Sequence, residues 1–339
     1  MGAFRQNIAV DLGSANIRIN VEKKGVLVDE PCLVTIRKDN GEVKAIGRES
    51  RNMLGKTDEG IITIKPVSRG AISEYTVAVN LVGYFLDRAI TGFLLKFIRP
   101  DVITAVHSNA TSVDKRATER ALREAGAGRI FFVEAPLAAA VGANLQVSEP
   151  TGRLIVNIGA EITDIAVVSF DGIVSAVSVP VGGRSFDEAI KNYFKREYKM
   201  LLGDVTAERI KKENVCIFRD CRIEPFEVSA FELTGRLPKD VTATPEELIK
   251  PLSECAAPNI EGISRVLEQT PPELVSDVAQ RGITLTGAGA KLAGMDAYVE
   301  AGTGIMTRLA DNPQHSVVNG CIKILSNMSN ESKNELTSK

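Results

Sequence analysis

The residues in this chain most able to do chemistry are glycines set in short turns after apolar strands. VDLGSANIRINV at 10–21 and VNIGAEITDIAVV at 156–168 share one pattern. Each has an apolar strand, a polar residue (Asp11 or Asn157), a glycine two positions on (Gly13 or Gly159), and a return strand. Each is followed by another turn and strand, KKGVLV at 23–28 and FDGIVS at 170–175. A unit that recurs at a fixed offset is an internal repeat and predicts two similar lobes. A third turn, TGAGAKLAG at 286–294, follows the apolar run at 283–285. Phosphate is bound by backbone N–H groups presented without a side chain in the way. Gly13, Gly159, Gly287 and Gly289 would give that access, so the turns predict a polyphosphate cradle. Asp11, at a strand end, predicts Mg²⁺ held through water, since hard cations prefer oxygen ligands. One such turn alone reads better as a plain hairpin; three, two of them in a repeat, reverse that reading.

The elements that must position these turns follow from periodicity. Ile8 and Val10, then Ile17, Ile19 and Val21, then Val26 and Val28, then Leu33, Val34 and Ile36 alternate as strands. DNGE at 39–42 predicts a hairpin turn. Val77, Leu81, Phe85, Leu86 and Ile90 have helical spacing, and DVITAV at 101–106 reads as a buried strand. Thr111 is placed to cap a charged helix that ends in glycine. RIFFV at 129–133 is a strand, and EAPLAAAVGAN opens a helix whose small residues predict close packing on a neighbour. A second lobe begins near residue 147. GGRSFDEAIKNYFKREYKMLLG reads as one amphipathic helix through Phe186, Ile190, Phe194 and Leu201, and Thr206 as the cap of the next. Residues 215–250 are irregular, with two short strands expected at 226–228 and 231–233. A long helix is expected at 245–267, and a frayed polar tail from Ser326. Strands alternating with helices make the class α/β, with parallel or mixed central sheets whose carboxyl ends carry ligands.

Composition narrows the function. At 339 residues the chain can hold two domains with cores, and its 44% hydrophobic and 25% charged residues are ordinary for a soluble globular protein. With a net charge of −2 the bulk field does not argue for a nucleic-acid partner, and none is expected. No apolar stretch reaches the roughly 18 residues of a spanning helix. The start, MGAFRQNIAV, reads as leading straight into a strand rather than as a signal peptide, and Gly2 lacks the Ser or Thr of a myristoylation motif. Five scattered cysteines without CxxC spacing read as reduced thiols, and two distant histidines argue against a His-based metal site or triad.

Taken together the motifs resemble the bacterial actins, and within them the MreB family of rod-shape filament proteins. DLGSAN is similar to that family's first phosphate loop, DLGTAN, and NIGAEITDIAVVS stands where its second, DIGGGTTEVAVIS, would be. TAERIKKE resembles its adenine-side helix, and LTGAGAKLAGMD its LTGGGALLRGLD. EPCLVTI, RNMLGKT, EAPLAAAVGANL, GGRSFDEAI and TPPELVSD follow in family order, so the resemblance runs from about residue 6 to 325. It implies an actin-like fold of two duplicated lobes, each with a central mixed sheet and flanking helices. Lobe I would be 1–146 with 317–339, its peripheral subdomain at about 33–66. Lobe II would be 147–316, with its own at about 183–248. ATP and Mg²⁺ would lie between the lobes. By motif, Gly13, Ser14, Ala15 and Asn16 would meet phosphate, and Gly159, Ala160 and Glu161 would form the second phosphate turn. Gly183, Glu208, Arg209 and Lys211 would lie near the nucleoside. Gly287, Ala288, Gly289 and Ala290 would close the adenosine side, with Asp11 for the metal.

The departures from the family pattern fall where hydrolysis happens. The family's glutamate directly before the proline of its EPMAAA helix is Ala135 here, with Glu134 one residue earlier. The threonine of GGGT is Ile162, followed by Thr163. Neither Ala nor Ile can orient a water, and phosphoryl transfer depends on positioning. Glu134 and Thr163 are the only substitutes, and a rotation of about 100° per helical residue would aim Glu134 elsewhere. The family aspartate is Asn157, Glu161 replaces a glycine beside the phosphates, and Arg184 replaces an acid and could offset that charge.

ITGFLLKFIRPD at 90–101 adds an apolar run, Phe93, Leu94 and Leu95, flanked by Lys96 and Arg99. In the family this region carries a membrane-inserting loop, and such a run suits an anionic surface. The expected protein is a cytoplasmic, membrane-peripheral filament subunit that binds ATP and Mg²⁺. It would polymerise with itself and with paralogous subunits, and hydrolyse ATP slowly or not at all. The rivals are a pseudo-ATPase scaffold that binds no nucleotide, and a sugar kinase or chaperone-type ATPase of the same superfamily. The kinase would need an added substrate domain or a base for a sugar hydroxyl.

Overall fold

A computed structural model describes residues 5–55, 59–90, 98–219, 224–233, 235, 237–329 and 333. The chain divides into two units, Met1–Val147 with Gln314–Lys339, and Ser148–Pro313.

The first unit starts with β1 (Asn7–Leu12), β2 (Asn16–Val21) and β3 (Gly25–Pro31), an antiparallel run whose apolar alternation buries Ile8, Val10, Ile17, Ile19 and Val21. The strands β4 (Val34–Arg37) and β5 (Val43–Ile46), the short helix α1 (Arg48–Met53) and β6 (Ile61–Ile64) follow, with the sheet ordered β5-β4-β6. A two-stranded ribbon, β7 (Val67–Ser68) and β8 (Ala71–Ile72), leads into α2 (Tyr75–Ala89). Then come β9 (Asp101–Val106), α3 (Ser112–Glu124), β10 (Ile130–Glu134) and α4 (Ala135–Gly142). Thr111 caps α3 as its sequence predicts. The Asp114 N–H donates to its hydroxyl at 3.2 Å, and its own N–H donates to the Asp114 carboxylate at 2.9 Å. The main sheet runs β10-β9-β1-β2-β3, with β9 parallel to both of its neighbours.

The C-terminal helix Ser316–Asn327 returns to this unit and lies on α4. The small residues of α4 make that approach possible. A Cβ on Gly142 would sit 1.7 Å from the Ser316 carbonyl oxygen, and one on Gly320 would sit 1.7 Å from that of Ala138.

The second unit repeats the plan. β11 (Arg153–Ile158), β12 (Thr163–Ser169) and β13 (Gly172–Val179) are antiparallel, and the first two are buried along their whole length. The helix α5 (Gly183–Tyr193) gives way to a π-helical turn, Phe194–Tyr198, and the short β14 (Met200–Leu201). One continuous helix to Leu201 was expected. Instead Lys199 is left-handed at φ 56°, Met200 is fully buried in the next sheet, and Tyr198 donates to the Glu247 carboxylate at 2.9 Å. The helix α6 (Asp204–Glu213) starts before Thr206, which lies in its first turn rather than at its cap. Asp204 there suits the positive end of the helix dipole.

Next come β15 (Phe226–Glu232), β16 (Pro238–Ala243), α7 (Pro245–Glu268) and α8 (Pro272–Arg281). β17 (Ile283–Thr286), α9 (Met295–Thr303) and β18 (Thr307–Leu309) complete the unit. The two short strands expected at 226–233 are a single strand paired with β16, in a sheet ordered β14-β15-β16. Its main sheet runs β13-β12-β11-β17-β18, with β17 parallel to β11 and β18. Read from the third strand, this is the order and sense of the first unit's sheet. The α7 helix seats on that sheet through Gly262, where a Cβ would come within 2.7 Å of Ile165 and Val179.

Candidate functional site

In the first unit the glycine turn joins β1 to β2. The Gly13 N–H donates to the Asn16 carbonyl at 3.1 Å, and a Cβ on Gly13 would lie 3.0 Å from the same oxygen. Strand register sets Asp11 opposite Arg18. Arg18 Nη1 is 3.5 Å from Asp11 Oδ2, and its Nε is 3.2 Å from Asp29 Oδ1. Asn16 Nδ2 donates to Asp29 Oδ1 at 2.9 Å, and His315 Nε2 is hydrogen-bonded to Asp29 Oδ2 at 2.8 Å. Ser14 is buried within the turn, and the Ala15 carbonyl accepts from the Cys32 N–H at 2.8 Å.

Burial pushes the Asp11 carboxyl above the usual carboxylate range, against the pull of Arg18 and His107. Burial acts the same way on Asp29, but Arg18 and the hydrogen bonds from His315 and Asn16 outweigh it and hold Asp29 below that range. A carboxyl lowered on folding adds stability that is present above its unfolded pKa, near 3.8, and lost as pH falls through the folded value. Replacing His315 with Ala removes one of those holds. We expect acid unfolding of that variant, followed by far-UV circular dichroism, at a higher pH than for the unaltered chain.

In the second unit the Gly159 N–H donates to the Ile162 carbonyl at 2.8 Å, and a Cβ on Gly159 would lie 2.8 Å from that oxygen. This is the Gly13 to Asn16 bond repeated, so the sequence repeat is also a geometric one. The start of α5 reaches back to the turn: Gly183 N–H donates to Gly159 O at 3.0 Å and Arg184 N–H to Ala160 O at 2.7 Å. The third turn lies on the second. Gly287 has φ +84°, its N–H donates to Pro313 O at 2.8 Å, and a Cβ there would sit 2.2 Å from Ile158 O. A Cβ on Gly289 would sit 2.5 Å from the Ile158 side chain. Only glycine lets these two turns meet.

Lys211 Nζ donates to Gly183 O at 2.8 Å and pairs with Asp187 Oδ1 at 2.8 Å, tying α6 to α5. Gly159, Ala160, Gly183, Lys211, Gly287 and Gly289 are thus gathered in one place. Ala288 is exposed beside them, whereas Ala290 is buried in the core of this unit. On α6, Glu208 pairs with Lys212 at 2.6 Å and Arg209 is exposed.

Glu161 does not stand as an uncompensated charge: its carboxylate forms an ion pair with the Arg184 guanidinium, both largely buried. Arg184→Ala therefore removes that ion pair from a carboxylate beside the second glycine turn. We expect about tenfold weaker binding of a fluorescent ATP analogue, near 1.4 kcal/mol, and recovery when Glu161→Gln is added.

Two expected water-positioning groups fare differently. Thr163 is fully buried and its hydroxyl donates to Val181 O at 2.7 Å, which commits its one proton. Glu134 ends β10 in an extended conformation, φ −72° and ψ 135°, and Ala135 is the first residue of α4. The two are separated by the strand-to-helix junction and not by a helical rotation.

The residues also bear on a metal. Mg²⁺ sites are built on carboxylate oxygens and ordered water. Asp11 already faces a guanidinium. Asn157 carries no charge, and its Oδ1 accepts from the Thr286 hydroxyl at 3.3 Å. Among the described residues no three Asp, Glu, His or Cys side chains cluster as metal ligands. At the first turn the donor set offers one carboxylate, Asp11, opposite Arg18. Periodicity carried the missed signal. Asn16, Arg18 and Asn20 occupy one face of β2 while Ile17, Ile19 and Val21 occupy the other, which puts Arg18 beside Asp11.

The expected membrane run, Phe93, Leu94 and Leu95, lies outside the described residues. Among those described, no helix is long and apolar enough to cross a membrane.

Two α/β units of one topology, each with a glycine turn between its first two strands, define an actin-like protein. MreB5 of Spiroplasma citri bound to AMPPNP superposes with a TM-score of 0.92 at 28% identity, covering 99% of each chain. The same protein bound to ADP gives 0.91 over the same coverage. The MreB/Mbl protein family matches residues 5–333, and the chain belongs to that family. It is 35% identical to the cell shape-determining protein Mbl of Bacillus subtilis over 98% of this chain and 100% of that one. It is 37% identical to the cell shape-determining protein MreB of Escherichia coli over 96% and 94%.

Proposed function

We propose that this chain binds an adenine nucleotide at its glycine turns, polymerises as a cytoskeletal filament subunit and hydrolyses the nucleotide slowly or not at all. The observation that carries the reading is the convergence of Gly159, Gly183, Gly287 and Gly289, each placed where backbone approaches backbone. The likeness to a Spiroplasma citri protein bound to ADP and to AMPPNP supports a nucleotide as the ligand. Relatives that determine cell shape support a role in cell shape, and cell movement is the other role proposed. Head-to-tail contacts between copies that do not close into a ring would give such filaments.

Slow hydrolysis follows from Ala135 and Ile162, buried side chains with no hydrogen-bonding atom at the two positions where the family motif places water. The run at 93–95 with Lys96 and Arg99 supports a peripheral place on the inner face of the cell membrane, held through polymer avidity. Paralogous subunits are candidate copolymer partners. Titration of the purified chain with a fluorescent ATP analogue, with pelleting beside it, tests the reading. Saturable binding and nucleotide-dependent pelleting are expected. Pelleting with no binding would contradict it and leave a nucleotide-free scaffold.

A further inference from the structure

We propose that Lys211 and Asp187 are positioning residues for the second glycine turn: acting through Gly183, they fix the direction in which that turn presents its N–H groups to phosphate, and Lys211 is not a ligand of the nucleoside. The inference rests on the nucleotide-binding reading above and deepens it within the second unit alone. The start of α5 is pressed onto the turn. A Cβ on Gly182 would lie 2.7 Å from Gly159 O and 2.8 Å from the Ala160 carbonyl carbon. The Gly183 N–H donates to Gly159 O at 3.0 Å, the Arg184 N–H to Ala160 O at 2.7 Å, and the Ser185 N–H to Gly182 O at 2.9 Å. These first donors of the helix are engaged by backbone, which leaves the turn to meet the phosphate. In a trans peptide the C=O and the following N–H point opposite ways. No described peptide bond is cis. Holding Gly159 O and Ala160 O toward α5 therefore turns the Ala160 and Glu161 N–H groups away from it together.

Lys211 secures the helix side of that contact. Its ammonium donates to Gly183 O at 2.8 Å and pairs with Asp187 Oδ1 at 2.8 Å, with both side chains 15% exposed. Asp187 is four residues beyond Gly183 and so lies on the same face of α5, where one ammonium reaches both. An ammonium has three donors, and two are committed here. Burial pushes the Asp187 carboxyl above the usual carboxylate range, and Lys211 is the largest pull against it. Removing either one leaves the other largely buried without its ion-pair partner. The same two helices are joined again about two turns further along α5. There Lys191 pairs with the exposed Asp204 at 2.9 Å.

The test is displacement of methylanthraniloyl-ATP from the full chain by tripolyphosphate, for the unaltered protein, Asp187→Asn, Lys211→Met and Asp204→Asn. Asp187→Asn is the decisive variant. It removes a negative charge, so a field effect alone would tighten phosphate binding, whereas a loosened α5 weakens it. The probe's Kd and the inhibition constant of tripolyphosphate should rise together, about fivefold in Asp187→Asn and about tenfold in Lys211→Met. Asp204→Asn breaks the exposed tie between the same helices and should change either constant by less than about threefold. Unchanged or tighter binding by Asp187→Asn would overturn the inference. So would a Lys211→Met chain that loses affinity for the probe but not for tripolyphosphate, because the loss would then lie at the nucleoside. Either result leaves nucleotide binding intact. Failure of the unaltered protein to bind the probe would remove the nucleotide reading and this inference with it. If Lys211→Met does not fold, Asp187→Asn still decides the matter by the sign of its effect.

Discussion

Gly320→Val is expected to lower the unfolding temperature of the first unit more than any other single change considered. The C-terminal helix and α4 touch backbone to backbone. The Cβ position at Gly320 is 1.7 Å from Ala138 O and 2.9 Å from Gly142 N, and neither atom can move without its helix. The helices would have to separate, opening gaps around Ala138, Ala139 and Ala140 on one side and Val318, Cys321 and Leu325 on the other, all fully buried. Overpacking of this kind costs about 3 kcal/mol. The ~1 kcal/mol of helix propensity that leaving glycine can return is too small to compensate, and valine returns less. For a unit of this size the loss corresponds to roughly 6–12 °C, read by scanning calorimetry. Gly203→Ala is the control. Gly203 has φ −73° and nothing within 4 Å of its Cβ position, so a small change is expected. The functional link is direct, because α4 begins with Ala135 and carries the strand-to-helix junction that holds Glu134.

The second large effect is a gain. Ala135→Glu with Ile162→Thr should raise phosphate release by on the order of 100-fold, the scale of a positioned base or water-orienting group. On the reading proposed above the starting rate is low because two buried apolar side chains, 5% and 8% exposed, stand where the family motif has polar ones. A glutamate at the first position of α4 is also favoured by the helix dipole. Each substitution alone should give less than the pair, since positioning groups that act on one water are not additive. Nucleotide affinity, measured in the same preparations, should change little. A parallel fall in affinity would mean that the substitutions disturb the fold and not the chemistry.

Much of this was legible in the residues. Gly13 and Gly159 announce the duplication because a Cβ at either would crowd the carbonyl three residues on, and the fold places the same hydrogen bond at both. The third turn was equally plain, since Gly287 and Gly289 have a steric reason to be glycine. The Thr111 cap was readable because its partners are three residues apart.

What escaped depends on residues distant in the chain. His315 looked isolated, yet it meets Asp29 across almost the whole sequence. The hydroxyl of Thr163 donates to Val181 O, a partner 18 residues on that only the pairing of β12 identifies. The partner of the small-residue face on α4 is the C-terminal helix, which nothing local to α4 identifies. β16 went unseen because PKDVTA is mostly exposed and carries no alternation; it is a strand only through pairing with β15.

On the reading proposed above, the chain polymerises with nucleotide it does not readily hydrolyse. The most direct measurement is the nucleotide content of pelleted polymer formed from the purified chain and ATP. The pellet is expected to retain mostly ATP long after polymer formation is complete. A pellet holding ADP, with phosphate released as fast as polymer forms, would contradict it and turn attention to Glu134 as the group that orients the water.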